Sequence, residues 1–309
     1  MKKPKASEGK SLGGVIVAAT TPRRSHEYSI DLAATLELVD FLGNSGVNAI
    51  CLLGSTGEFV HFALDDRRHM TGFAAKRSRV PLLVNVSHST LDGAVELARE
   101  AATDGVAGVL IMPPFYFRYG QDAIRSFFLQ FASEVDNAVP IYLYNIPIFS
   151  SPIEVSTARE LLGTGLFAGI KDSSGSWDYF ERLREQSASV PFAFFAGDER
   201  IYAKARPLGA RGGISGVACA VPELMVSIER TLNQEARSDI ARLECRLLEF
   251  LHWVEQFPAP VAIKEAVRLR KLKMGAWAVP IGKDLEPKLA EFGEWFLAWL
   301  PQVLRECGK

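Results

Sequence analysis

The sequence predicts a (β/α)8 barrel with an extra helical subdomain at its C-terminal end, on three observations. Eight short apolar segments recur along the chain, each followed by a stretch with helical spacing. These segments are nearly continuous in apolar character instead of alternating, as parallel strands buried on both faces are. After residue 222 the strand signals stop and only helical patterns remain. A chain of 309 residues suits one large α/β domain.

The expected strands are "GVIVAAT" (14–20), "VNAICLLG" (47–54), "PLLVNV" (81–86), "VAGVLIM" (106–112), "PIYLYN" (140–145), "FAGIK" (167–171), "PFAFFAG" (191–197) and "GGISGV" (212–217). Between them, "STLDGAVELAREAA" opens on a capping-box-like Ser89 and Asp92 and continues with Leu91, Val95, Leu97 and Ala98 at helical spacing. In "DAIRSFFLQFASEV", Ile124, Phe127, Phe128 and Phe131 share one stripe. The units repeat every 20 to 34 residues or so, as a barrel requires. A doubly wound sheet often carries a G-x-G-x-x-G turn after a strand, and none is present. Helices are expected at 223–233, 237–256, 260–273 and 286–304, with proline marking the seams "QFPAPVA" and "AVPIGKDLEP". The first of them completes the eighth unit. The expected division is therefore a disordered basic tail over 1–12, a barrel over 13–235 and a helical subdomain over 236–309.

Composition excludes several functions. Hydrophobic content of 48%, charged content of 23% and a net charge of −1 describe a soluble globular chain without general attraction for nucleic acid or acidic membrane. No apolar run approaches membrane-spanning length. Cys51, Cys219, Cys245 and Cys307 lie far apart, and His26, His61, His69, His88 and His252 form no i,i+4 pair, so no metal signature appears. The cytoplasm is the expected compartment.

In such a barrel the C-terminal strand ends converge on one mouth. Strand 2 ends in "GSTGEF" (54–59), strand 4 in "PPFYFR" (113–118), strand 5 in "YNIP" (144–147) and strand 7 in "GDE" (197–199). Strand 8 carries "GGISG" (212–216), and strand 6 closes its apolar run on Lys171. A lysine there either snorkels to solvent or stands desolvated, and desolvation lowers an amine pKa by disfavouring the ammonium form. A neutral amine attacks a ketone to form a Schiff base, which serves as an electron sink when a carbon–carbon bond is made or broken. Tyr144 is a candidate phenol for proton transfer, with the Thr56 hydroxyl as relay. "GSTGE" reads equally as a tight turn or as a nest of N–H groups for an anion. Tyr144 as a core tyrosine, Tyr116 as loop packing and the "GDE" stretch as a helix cap are the structural alternatives. Their shared position at one end of different strands favours a single site.

The ordered motifs "GSTGE", "PPFYF", "YNIP", "GIKDSSG" and "GGISG" resemble the dihydrodipicolinate synthase and N-acetylneuraminate lyase family of pyruvate-type class I aldolases, over essentially the whole chain. The resemblance implies that Lys171 is the Schiff-base lysine and Tyr144 the proton-transfer tyrosine. Ser55 and Thr56 match the positions that bind the substrate carboxylate and relay the proton. Tyr116 matches the tyrosine that enters a neighbouring subunit's site, and Ile214 a strand-8 residue whose backbone borders the substrate. Ser173, Asp198 and Glu199 align with lyase positions that touch a sugar's hydroxyl tail. The resemblance further implies a homo-oligomer, dimer or tetramer, acting on a 2-oxo acid and an aldehyde with neither metal nor organic cofactor.

One position departs from the synthase pattern. Where synthases place an arginine five residues after the strand-5 tyrosine, this chain has Phe149. An aromatic ring cannot make the bidentate contact that a guanidinium offers a carboxylate. Arg118 is the loop residue that would substitute. The expectation is a lyase or aldolase of pyruvate or a longer 2-oxo acid, such as a 2-oxo-3-deoxy sugar acid, a sialic-acid-like substrate or a hydroxy-oxo-diacid, with neutral polyhydroxy aldehydes preferred over aspartate semialdehyde. Dihydrodipicolinate synthase is the alternative within the enzyme class. A non-catalytic barrel that binds a 2-oxo acid is the alternative outside it. A phosphate site at "GGISG" lacks a following Lys or Arg clamp.

Overall fold

All eight apolar runs form parallel strands: β1 (Gly14–Ala18), β2 (Ala49–Leu52), β3 (Leu82–Asn85), β4 (Gly108–Ile111), β5 (Ile141–Asn145), β6 (Gly169–Asp172), β7 (Ala193–Ala196) and β8 (Gly212–Ser215). They close in chain order into a barrel, with β1 pairing to β8. The computed structural model describes residues 12–25, 29–187, 190–234 and 239–308, the side chains of 186 and 187 aside. The tail expected over 1–12 lies outside these residues except for Leu12, which is buried and accepts a 3.2 Å hydrogen bond from Arg211 Nε. Leu12 thus belongs to the barrel and not to the tail.

Most strands are shorter than the apolar runs because flanking residues leave the ladder. At β2 the cause is local: Leu53 adopts φ 57 and turns the chain out of the sheet one residue after Leu52. β6 instead gains a residue, Asp172, beyond Lys171.

The connecting helices are α1 (Leu32–Asn44), α2 (Leu64–Arg77), α3 (Leu91–Thr103), α4 (Gln121–Val135), α5 (Val155–Gly163), α6 (Trp177–Ser187), the short α7 (Tyr202–Ala205) and α8 (Val217–Ala220), and α9 (Pro222–Asn233). On α4, Ile124, Phe128 and Phe131 are buried while Phe127 packs partly exposed against the same core. The cap of α3 is Thr90 and not Ser89. The Thr90 hydroxyl accepts from Gly93 N at 3.2 Å, while His88 Nδ1 accepts from Thr90 N. A threonine side chain in this position satisfies one of the orphan first-turn donors.

Three further helices follow: α10 (Ile240–Val254), α11 (Val261–Leu269) and α12 (Glu286–Glu306). Helix α11 is shorter than the 260–273 pattern because Lys271 takes φ 66, a left-handed conformation that stops a helix. An aromatic cluster joins α10 to α12: Phe250 stacks on Trp299 with centroids 5.7 Å apart, and Trp295 on Trp299 at 5.0 Å. No helix among the described residues is long and apolar enough to cross a membrane. These helices do more than add mass, since Leu251, Val254 and residues 258–263 wall one side of the cavity at the barrel mouth.

Candidate active site

The β5–β6 register sets Tyr144 opposite Lys171. In parallel strands, paired residues project to the same face, here the mouth cavity. Lys171 is 3% exposed, and its Nζ lies 4.3 Å from the centroid of the Tyr144 ring. Among the described residues the amine makes neither a hydrogen bond nor an ion pair. Its stem lies against Gly197, just past β7, where a Cβ would stand 3.0 Å from Lys171 Cε and 2.8 Å from the backbone carbonyl of Asp172.

The cavity holds about 200 Å³ and brings together Ser55, Thr56, Tyr144, Lys171, Ser173, Glu199 and Ile214. The Tyr144 phenol and the Ser55 hydroxyl share a 3.0 Å hydrogen bond, so the phenol is linked to the "GSTGE" turn. The turn itself closes through Gly57 N donating to Gly54 O and Glu58 N to Ser55 O, both at 3.0 Å. The N–H groups of Ser55 and Thr56 donate to no acceptor among the described residues, and the Thr56 hydroxyl is likewise uncommitted. Donors left open at the edge of a cavity form a place for an anion.

The sequence reading missed what holds this turn. Asn85 Nδ2 donates to Leu53 O and the Thr21 hydroxyl to Gly57 O, each at 2.8 Å. Arg67, buried beneath, donates to Asn85 O and Ser87 O at 3.0 Å, and burial pulls its pKa down to about 10. Glu58, at φ 55, accepts from Lys264 Nζ at 2.8 Å, with Arg23 Nε at 4.0 Å. All three charges are buried. Burial lowers the Lys264 pKa, with Glu58 opposing the shift.

Other sequence-derived candidates fall in different places. Asp198 does not line the cavity: its Oδ1 accepts from Arg200 N at 2.9 Å and caps the short turn that follows. Glu199 lines the cavity, but its Oε1 already accepts from Ser215 Oγ at 2.6 Å and Val217 N at 3.2 Å. Ser173 keeps its hydroxyl free among the described residues. Tyr116 stands apart from the Lys171 cavity, 89% exposed at φ 84, and packs edge-on against Phe117 at 4.9 Å. Arg118 donates to the carbonyls of Ser150 and Pro147 and lines no part of the cavity. Cys51 is a packing thiol: burial pushes it up to about 11, with the Lys171 charge pulling the other way. Among the described residues no group of three His, Cys, Asp or Glu side chains gathers as a metal site requires.

Asp172, next to Lys171, faces away from the cavity and braces the strand end. It accepts from Asn145 Nδ2 and Ser174 Oγ, each at 2.7 Å, while Asn145 Oδ1 accepts from Ile153 N at 3.0 Å. Burial raises the Asp172 carboxyl to about 6 despite these bonds. Between the unfolded value of 3.8 and about 6 the folded state therefore holds more protons than the unfolded chain. Stability through this group falls as pH rises across that window, by about 3 kcal/mol in total. Asp172→Asn, which keeps the shape without the charge, is expected to match the wild type near pH 4 and to exceed it by about 3 kcal/mol near pH 7. Urea unfolding at both pH values checks this, and a pH-independent difference between the two proteins would rule it out.

Comparison with known proteins agrees with this architecture. The model of the dihydrodipicolinate synthetase family matches residues 11–293. An uncharacterised DapA-like lyase of Pyrococcus horikoshii is 30% identical, covering 91% of this chain and 96% of its own length. A 4-hydroxy-tetrahydrodipicolinate synthase of Oceanobacillus iheyensis is 27% identical over 88% of this chain and 92% of its own. In structure, a prophage protein of the dihydrodipicolinic acid synthase family from E. coli K12, solved in complex with pyruvate, superposes with a TM-score of 0.85 at 23% identity, covering 93% of this chain and 98% of that one. A closed eight-stranded barrel with a lysine and a tyrosine paired at its mouth, matched by that family model over nearly its whole length, belongs to the dihydrodipicolinate synthetase family of lyases and aldolases.

Proposed function

We propose that the protein is a class I aldolase or lyase in which Lys171 forms an imine with pyruvate or a longer 2-oxo acid. One observation carries the reading. Lys171 and Tyr144 are register partners in one cavity, with the amine uncommitted and the phenol hydrogen-bonded to Ser55. The amine attacks the ketone carbon, water leaves, and the imine draws electrons from the bond being broken. Tyr144 moves the proton to or from the hydroxyl that becomes the aldehyde, with Thr56 and Ser55 as relay. The open N–H groups of Ser55 and Thr56 hold the carboxylate, and Ile214 borders the substrate from β8. This chemistry calls for neither metal nor organic cofactor, so a chelator should leave turnover intact. Borohydride trapping with pyruvate, read by intact mass and peptide mapping, tests it: one adduct per chain is expected, on Lys171.

The synthase reading is the rival carried by the relatives' names. It needs a cation for the second carboxylate. Phe149 stands at the expected position, and Arg118 is turned onto the carbonyls of the β5 loop. Four unpaired cysteines fit a reducing, cytoplasmic compartment.

The reading extends to a homo-oligomer, dimer or tetramer, in which Tyr116 completes a neighbouring site. Its loop is braced from within: Phe115 bridges Ser150, and Tyr119 N donates to Ser151 Oγ at 2.8 Å. The bracing leaves Tyr116, Phe117 and Ile148 largely exposed. An aromatic residue held at positive φ and facing outward is strained display, costing ~1–3 kcal/mol. A symmetric partner would bury the patch. Tyr116→Phe is expected to stay oligomeric and lose activity ~10²-fold or more, the scale of one proton-transfer group. Sedimentation showing a fully active monomer would overturn the shared site.

A further inference from the structure

A second cavity of about 280 Å³ adjoins the first and shares Ser55, Ile146 and Ala259 with it. Its other walls are largely apolar: Phe59, Val60, Met112, Phe115 and Phe149. Phe59 and Phe115 meet edge to face at 5.6 Å, and the Arg67 guanidinium lies 5.0 Å from the Phe59 centroid, which fixes that wall. Glu58 lines the cavity too, but its carboxylate is bonded to Lys264. Besides the shared Ser55, His61 is the remaining polar side chain at its rim, and among the described residues neither a lysine nor an arginine lines it. The first cavity has apolar walls as well, among them Val217, Leu251, Val254 and Val261.

Polar side chains that a polyhydroxy tail would use are few along this path: the free Ser173 hydroxyl lies in the first cavity beside Lys171, and His61 stands at the rim of the second. Asp198 is turned away, and Glu199 Oε1 is taken by Ser215 and Val217. Hydroxyl-rich acceptors would lose hydration against apolar walls without regaining hydrogen bonds. A second carboxylate would meet neither a lysine nor an arginine there among the described residues. An apolar ring gains from the same walls, and an apolar cavity of about 150 Å³ is enough to hold benzene.

We infer that the second cavity is the acceptor subsite and that the aldehyde is uncharged, with an aromatic or branched apolar group. This rests on the reading of Lys171 as the imine-forming residue. In the condensing direction, the enamine carbon of the Lys171–pyruvate adduct attacks the aldehyde carbon and one carbon–carbon bond forms. The aldehyde oxygen takes a proton from Tyr144. Water then hydrolyses the imine, releasing a 4-hydroxy-2-oxo acid and the free amine. Cleavage runs the same steps in reverse.

The test is condensation of pyruvate with benzaldehyde, 2-methylpropanal, glyceraldehyde and aspartate semialdehyde, comparing kcat/KM for wild type and Phe149→Arg. Benzaldehyde is expected to exceed glyceraldehyde by ~10-fold or more, and aspartate semialdehyde by ~30-fold. Phe149→Arg is expected to shift the benzaldehyde-to-semialdehyde ratio toward the semialdehyde by ~10-fold or more. Phe149 is half exposed, so the arginine need not be buried. Pyruvate trapping without aldehyde separates the two failures. No adduct on Lys171 means the imine reading falls; an adduct with glyceraldehyde or the semialdehyde as best acceptor overturns the apolar subsite alone. Sedimentation supplies the remaining arm. If Phe149→Arg disperses the oligomer without changing the acceptor ratio, the cavity seats the partner's aromatic loop, and the subsite assignment is wrong.

Discussion

Lys171→Ala is expected to keep the fold and lose the reaction. The side chain is buried, yet among the described residues it has no charged or hydrogen-bonded partner, so truncation orphans no opposite charge. It also borders an existing cavity, so the space left behind extends that cavity and no new void opens in the core. Catalysis, by contrast, has no substitute for the amine. On the proposed mechanism Lys171 is the covalent nucleophile, and its loss should lower kcat by ~10⁴-fold or more. The informative comparison is with Lys264, the other lysine buried among the described residues. Lys264 Nζ is bonded to Glu58 at 2.8 Å and does not line the Lys171 cavity, so it has neither a free amine nor access to the substrate. Borohydride plus pyruvate should therefore give no adduct in Lys171→Ala and one in Lys264→Met. An adduct that persists in Lys171→Ala would place the imine elsewhere, and an unchanged melting curve shows that the loss is not unfolding.

Much of the barrel was legible because buried parallel strands leave a one-dimensional signature. Runs such as "GVIVAAT" and "PIYLYN" need no partner to be recognised. Strand ends were less legible, because the residue that ends β2 is Leu53, an apolar side chain in a left-handed conformation that composition does not reveal. At the site, Lys171, Tyr144, Ser55 and Thr56 come together because each occupies the same end of its strand. Asp198 and Glu199 sit at such an end too, but their carboxylates turn to local donors that only coordinates show. The Phe59–Phe149 cavity was hidden for a different reason: it joins four segments that are distant in sequence, so no window displays it. Lys264 was readable in principle. It interrupts the apolar stripe of "PVAIKEAV" just as Lys171 interrupts "FAGIKDSS". Its position on a helix, outside the strand ends that converge on the mouth, gives the sequence no reason to place it at the site.

That second lysine supports the largest stability effect expected in the molecule. Lys264→Met should lower the unfolding free energy by ~3–5 kcal/mol, the range for removing one partner of a buried pair. The magnitude follows from what remains. Glu58 is buried, and without the ammonium at 2.8 Å its strongest partner is gone, leaving Arg23 at 4.0 Å. Glu58 must then take up a proton or move, and it sits at φ 55 in the turn that presents Ser55 and Thr56. On the proposed function, in which this turn holds the substrate carboxylate, activity should therefore suffer as a raised KM for pyruvate with the Lys171 adduct still formed at saturation. Adding Glu58→Gln to Lys264→Met removes the orphaned charge and should recover part of the loss, since contacting residues couple by ~0.5–3 kcal/mol. Chemical denaturation of the two single variants and the double variant closes the cycle. Strict additivity, or a loss below ~1 kcal/mol for Lys264→Met, would mean that the pair does not hold the turn and that Asn85, Arg67 and Thr21 position it without help from α11.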